Sequence, residues 1–320
     1  MGVSFLTPVA ALFGLLAAIP LAVFVSRRRR AEHVQRSLGL RADPPHRWLL
    51  LAVSLAAVPV LVGVAAAQPV VTSTRTVPQR SDAEVFVVID TSRSMLASAG
   101  EGEKARIERA REEALALQED LPDIPVGIAS MTDRVLPHVF PTVDRRVYRE
   151  TMLEAVGIER PPPSTSFGTN VTTLDALGVI PTLSFFGPAA KKRAVVVFTD
   201  GESQPISSVL SSDYAQTPRI DVTFVKIGDA SERIYESGVA EAGYEGDPNA
   251  DATLGQAAEA VRGRVVREGE TSEAADAVRE ALGEGPTQER RIEGNRQALM
   301  PWVALLALVP LGFVLYRRNL

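Results

Sequence analysis

Asp90, Ser92 and Ser94 alternate at the end of the apolar run Val85-Phe86-Val87-Val88-Ile89. Asp200 closes a second run, Ala194-Val195-Val196-Val197-Phe198-Thr199, and Thr169 lies between the two in Phe167-Gly168-Thr169-Asn170. A carboxylate and two hydroxyls at alternate positions, where a buried strand breaks into a loop, point three oxygens into one small volume. With Thr169 and Asp200 the set offers only hard oxygen ligands. That chemistry suits Mg²⁺, with Ca²⁺ or Mn²⁺ as substitutes. Ser164, Thr165, Ser166 and Thr172 are neighbouring hydroxyls that could stand in for Thr169. Alone, Asp90 and Ser92 would cap a turn, and Asp200-Gly201 would be a plain Asp-Gly turn. Both in order, each after a buried strand, make the metal-site reading the stronger one.

Other chemistries find little support. The chain has no cysteine, which excludes disulfides, zinc thiolates and cysteine nucleophiles. Its three histidines are His33, His46 and His138. His138, beside Pro137 in a strand-like run, reads as a surface or edge residue. No Gly-x-Ser-x-Gly elbow and no Gly-rich phosphate loop occur. Position 92 carries a hydroxyl where aspartyl phosphatases place a second carboxylate. No residue is assigned a catalytic role, and metal-assisted hydrolysis stays as a third reading.

The elements that must position these residues alternate along the chain. Residues 84–90 form a near-continuous apolar run, as in a strand buried on both faces. Residues 104–121 read as a helix, with Ile107, Ala110, Ala114, Leu117 and Leu121 at three- and four-residue spacing. Its Glu- and Arg-rich remainder reads as a solvated face, and Lys191-Lys192-Arg193 as a solvated turn. Strands are expected over 124–131 and 135–140, then a helix over 145–156 that Pro161-Pro162-Pro163 stops. A helix over 171–183, strands at 194–200 and 221–228, a helix at 253–261, a strand at 264–267 and a last helix at 271–282 follow. Residues 243–251, acidic and containing Gly and Pro, read as an exposed loop. The alternation predicts an α/β fold: a doubly wound, mostly parallel, Rossmann-like sheet with helices on both faces. Asp90 and Asp200 both fall at strand C-termini, where such sheets bind ligands.

Three uncharged stretches, 5–25, 48–67 and 298–316, are long enough to cross a bilayer as transmembrane helices. The first lacks a basic n-region, and Arg27-Arg28-Arg29-Arg30 follows it, which argues against a cleaved signal peptide. Loop 26–47 holds seven arginines against Glu32 and Asp43, and Arg317 and Arg318 follow the third stretch. Removing these nine basic and two acidic residues from the chain's 34 and 39 leaves 25 and 37, a net −12 over 68–297. The positive-inside tendency puts loop 26–47 and the tail 317–320 in the cytoplasm. Three crossings then put 68–297 outside the cell membrane. The basic loop is thereby explained without nucleic acid.

The motifs Asp90-x-Ser92-x-Ser94, Gly168-Thr169-Asn170 and Thr199-Asp200-Gly201-Glu202 resemble the metal-ion-dependent adhesion site (MIDAS) of von Willebrand factor type A (VWA) domains. The resemblance covers roughly 82–283. Many members carry glycine three residues after the threonine, where this chain has Thr172. The layout resembles BatA-like bacterial membrane proteins: two spans, a tether at 68–81, an A domain at 82–285, a linker at 286–297 and a last span. Such proteins are often associated with MoxR-type AAA ATPases. The resemblance implies that Ser92, Ser94 and Thr169 bind the metal directly, and Asp90 and Asp200 directly or through water. One position would stay open for an Asp or Glu of a protein partner, among them other VWA membrane proteins. It also implies coupling between the metal and the last helix. An assembly subunit with an idle metal site is the alternative function.

Overall fold

The computed structural model describes residues 2–38, 45–160 and 172–318. They divide into two compact units, Met1–Thr76 with Arg291–Leu320, and Val77–Arg290.

In the first unit, strand β1 (Gly2–Phe5) precedes a 3₁₀ helix (Pro8–Ala17) that continues as α1 (Ala18–Ser37); α2 (Pro45–Ala66) follows. Pro8 sits in the first turn, where its missing N–H costs no helical bond. From Leu21 to Leu38 neither Gly nor Pro occurs. The helix therefore runs on through Arg27–Arg30, and part of the basic segment expected as a loop is helical. Arg28 pairs with Glu32 one turn on, and its guanidinium lies 4.1 Å from the Trp48 ring centroid. The membrane-length helices are Pro8–Gln35, Trp48–Ala66 and Met300–Arg317. Gly63 lets α2 close on the 3₁₀ helix, since a Cβ there would lie 2.5 Å from the Gly14 nitrogen.

Strand β2 (Pro69–Arg80) follows the second span. The stretch expected as a tether is extended, but it is paired. It lies between β1 and β11 (Thr287–Ala298, expected as a linker) in a three-stranded sheet. β-Branched Val70, Val71, Thr72, Thr74, Thr76 and Val77 favour that conformation.

The second unit contains β3 (Ala83–Asp90), α3 (Arg106–Asp120), β4 (Val126–Met131), β5 (Val135–Thr142) and α4 (Arg145–Glu154). It goes on through α5 (Val179–Thr182), β6 (Lys192–Thr199), α6 (Ser208–Tyr214), β7 (Ile220–Lys226) and a small hairpin, β8 (Tyr235–Glu236) with β9 (Val239–Ala240). Helix α7 (Ala250–Val261), β10 (Arg264–Arg267) and α8 (Thr271–Leu282) complete it, and α9 (Met300–Arg318) is the last span. The sheet order is β10-β7-β6-β3-β4-β5, parallel except for β5, which pairs antiparallel with β4. The doubly wound, mostly parallel α/β sheet is as the alternation predicts. The stretch expected as one helix at 171–183 is a 3₁₀ turn at Leu174–Gly178 and the single turn α5, with Pro181 inside it.

Alternate strand residues feed two cores. Val85, Val87, Ile89, Val196 and Phe198 pack with Ile107, Ala110, Ala114 and Leu117 of α3, Tyr148 and Met152 of α4, and Val278 and Leu282 of α8. Phe86, Val88, Val195 and Val197 face Leu174, Ile180, Leu210, Leu254 and Val261 on the other side. Central strands buried on both faces leave their C-terminal ends as the natural place for polar groups to emerge.

Candidate metal centre

Strands β3 and β6 are parallel neighbours, with Ile89 opposite Phe198, so Asp90 and Asp200 leave adjacent strand ends. Neither is exposed. The Asp90 carboxylate accepts from the Ser92 backbone N–H at 2.9 Å and from the Thr199 hydroxyl at 2.7 Å. Burial, and then the charge of Asp200, push the Asp90 carboxyl up to about 7. Asp90 thus lies in a buried place beside a second carboxylate, which disfavours its charge.

Ser92 is the N-cap of a short 3₁₀ turn, Arg93–Leu96, which brings Ser94 round to it. The two hydroxyls lie 2.9 Å apart. Gly201, at φ +75°, makes the turn behind Asp200, and a Cβ there would lie 2.8 Å from the Ala250 carbonyl oxygen. Asp200 accepts from the Glu202 N–H at 3.0 Å and from Arg106 Nη1 at 2.9 Å.

Thr169 lies outside the described residues. Thr172, one of its neighbouring hydroxyls, is buried, and its Oγ1 has no hydrogen-bond partner among the described residues. Its backbone carbonyl accepts from Gln204 N–H at 3.0 Å, which fixes it beside the Asp200 loop. Thr172 and Ser94 line one hollow of about 460 Å³ with Arg93, Glu202, Tyr244 and Asp247. A buried hydroxyl without a partner forfeits its desolvation free energy, about 1–3 kcal/mol. An oxygen-seeking cation is one way to recover it, and Ser94, Glu202, Tyr244 and Asp247 offer oxygens around the same hollow.

Among the described residues no group of three or more His, Asp or Glu side chains is placed to hold a metal. The gathered set is of another kind, two carboxylates with hydroxyls. The residues thus fit a divalent cation in donor type and in unsatisfied charge.

Arg106 is the functional residue that the sequence reading missed. The helix carrying it was expected to turn its charges to solvent, yet Arg106 is 1% exposed. It occupies the buried stripe of α3, one turn before Ala110, and a charge on that stripe was the available signal. Burial opposes its charge, but Asp200, Glu202 and Glu232 override that and raise its pKa.

His138 lies on the edge strand β5, as an edge histidine should, but it is half-buried and bonded to Ser130 Oγ at 2.8 Å. The Ser130 hydroxyl donates to the Arg160 carbonyl at 2.9 Å, so it accepts from His138. That polarity is the reverse of a base activating a nucleophile. Burial lowers the His138 pKa. The basic cluster is partly engaged: Lys192 donates to the Glu284 carbonyl, and Arg193 lies 5.3 Å from the Phe186 ring.

No protein-family profile and no curated protein matches the sequence. Solved structures do. An aerotolerance-related membrane protein from Bacteroides fragilis NCTC 9343 is 20% identical, with a TM-score of 0.51 over 62% of this chain and 98% of that one. BatB from Bacteroides thetaiotaomicron is 18% identical, with a TM-score of 0.51 over 63% of this chain and 100% of that one. The VWA domain of SpRpn10 is 11% identical, with a TM-score of 0.38 over 64% and 98%. The chain thus shares its α/β fold with the two Bacteroides proteins, and among the described residues it carries three helices apolar enough to cross a membrane.

Proposed function

We propose that this protein is a membrane-anchored module that binds a protein partner through a divalent cation. The observation that supports the reading is that Asp90 and Asp200 leave adjacent strand ends, with the hydroxyls of Ser92 and Ser94 2.9 Å apart and Thr172 lining the same hollow as Ser94. Ser92 and Ser94 would hold the cation through their hydroxyls. Asp90 and Asp200 would supply charge directly or through water, and Thr169 or Thr172 the oxygen from the third loop. Once bound, the cation offers an exchangeable position to a carboxylate of the partner. Mg²⁺ is the favoured ion, with Ca²⁺ and Mn²⁺ able to substitute, because the donors are hard oxygens.

The protein's own groups prepare the site. The Thr199 hydroxyl and the Ser92 N–H orient Asp90, while Arg106 and the Glu202 N–H orient Asp200. An interaction role rather than turnover is part of the reading, since the sequence has no Gly-x-Ser-x-Gly elbow and no Gly-rich phosphate loop. The charge distribution supports an extracytoplasmic domain with loop 26–47 and the C-terminus in the cytoplasm. Work alongside a MoxR-type AAA ATPase and other VWA membrane proteins is part of the proposal, on the resemblance alone.

The test is a crosslinked pull-down from membranes with Mg²⁺ or EDTA, using wild type and Asp90→Ala. The reading expects a partner captured only with Mg²⁺ and only by wild type. Equal capture in EDTA would favour the assembly subunit with an idle site. Phosphoester turnover that disappears in Asp90→Ala would favour the hydrolase.

A further inference from the structure

Between β7 and α7 the chain makes a long excursion, residues 227–249, that carries the β8–β9 hairpin. It is pinned over the loop after β3 on two sides. Ser98 and Arg233 form an antiparallel bridge, with N–H to carbonyl distances of 2.9 and 3.1 Å. Arg93, at the rim, pairs with Glu241 at 2.8 Å. The excursion also supplies Tyr244 and Asp247 to the hollow that Ser94 and Thr172 line.

One side chain joins this excursion to the acids of the rim. Arg106 Nη1 donates to Asp200 Oδ2 at 2.9 Å, to Glu202 Oε1 at 2.8 Å and to the Tyr244 hydroxyl oxygen at 3.0 Å. Its Nη2 donates to the Asp229 carbonyl at 2.6 Å and its Nε to Glu232 Oε2 at 2.7 Å. Tyr244 donates in turn to Glu202 at 2.8 Å, and Arg109 holds the other Glu232 oxygen at 2.7 Å. The pair passes close over Gly228, at φ +66°, where a Cβ would collide with both Glu232 and Arg106. With the Ser94 carbonyl, which accepts from Nη1 at 3.4 Å, six acceptors from three segments converge on one buried guanidinium, whose rigid planar fork can hold them in one geometry.

We infer that Arg106 is a positioning residue that locks the 229–247 excursion to the Asp200 side of the rim, so that the excursion tightens when the cation site fills. The inference rests on the metal-site reading above. Its physical basis is that Asp200 and Glu202 share Arg106 with Asp229, Glu232 and Tyr244. Any ligand that fixes Asp200 also fixes the guanidinium, and with it the oxygens of the excursion. A shared rigid element of this kind gives a coupling free energy between two sites.

The test is hydrogen exchange on the full chain in detergent, with and without Mg²⁺, while Mg²⁺ binding is measured separately by calorimetry. The proteins are wild type, Arg106→Gln, Glu232→Gln and Tyr244→Phe. Tyr244→Phe removes one hydroxyl at the edge of the hollow, so it keeps the test usable if Arg106→Gln fails to fold. In wild type, Mg²⁺ is expected to slow exchange across 229–247 by about fivefold or more. In Tyr244→Phe and Glu232→Gln that slowing should shrink although Mg²⁺ still binds, a readout that loss of fold alone would not produce. If Mg²⁺ binds wild type and exchange across 229–247 does not change, the inference is overturned and the metal site stands. An equal slowing in wild type and all variants overturns it too. If wild type binds no Mg²⁺, the metal-site reading fails and takes the inference with it.

Discussion

Strand β3 has ion pairs at both of its ends, and the two ends behave in opposite ways. At the entry, Arg80 holds Asp82 with two bonds of 2.9 and 3.1 Å and donates its remaining nitrogen to the Gly283 carbonyl at 2.7 Å. One cation meets one anion, and the Arg80 hydrogen bonds hold the Asp82 carboxyl below its usual range. At the exit, burial and the charge of Asp200 push Asp90 up to about 7. Asp200, Glu202 and Glu232 there share Arg106, with Arg109 reaching only Glu232 among them, while Asp90 has the Thr199 hydroxyl and, among the described residues, no cation. The entry is a balanced pair that stabilises the fold. The exit keeps unbalanced negative charge inside a packed domain, which stabilises nothing unless a cation joins it.

The comparison breaks most sharply under mutation. Asp90→Asn should reduce divalent-ion affinity by more than the roughly 10–100-fold that groups outside the coordination shell contribute. In EDTA the same variant should melt no lower than wild type, because an uncompensated buried charge is gone. Arg80→Ala should do the reverse: a loss of about 2–3 kcal/mol with or without Mg²⁺, and unchanged metal affinity. Thermal melts with and without the ion, paired with calorimetry, read both. An Asp90→Asn protein that unfolds in EDTA while Arg80→Ala is silent would invert the contrast.

Titration should separate the two ends next. Asp90 has its folded pKa raised from 3.8 to about 7, so its contribution to metal-free stability is full below about pH 4 and fades as pH rises through 7. Asp82 has a lowered pKa, so its contribution is present above pH 3.8 and is lost as pH falls through the lower folded value. Metal must displace the Asp90 proton, so Mg²⁺ affinity should fall by about tenfold per pH unit below 7. Calorimetry in buffers of different ionisation heat would reveal the released proton. A flat affinity between pH 5 and 7 would go against it.

The smallest expected effect lies at Thr172. Thr172→Val removes a hydroxyl that bonds to nothing among the described residues, so stability should hold or rise by about 1 kcal/mol. If Thr172 supplies the oxygen from the third loop, Mg²⁺ affinity should weaken by about tenfold. Unchanged affinity, with a loss in Thr169→Val, would give that role to Thr169.

The legible part of the molecule is the part written in local pattern. Unbroken apolar runs marked β3 and β6, and the spacing from Ile107 to Leu117 marked α3. Asp90 and Asp200 were legible because each closes such a run. Strands β2 and β11 were not legible, because their pairing joins segments more than two hundred residues apart and β11 is almost wholly polar. Helix α6 was overlooked because it is serine-rich and buries only Leu210 and Tyr214. Arg106 is the instructive miss. Its helix was read as a charged outer face, but residues 106, 110, 114 and 117 share one buried stripe. Only the fold shows that its acceptors arrive from residues 200, 202, 229, 232 and 244.

The most direct measurement is a calorimetric Mg²⁺ titration of the purified full chain, repeated with Asp90→Asn and Asp200→Asn. The account predicts one divalent ion per wild-type chain and none in either variant. A wild-type chain that takes up no divalent ion at millimolar concentration, or variants that bind it as tightly as wild type, would contradict the account.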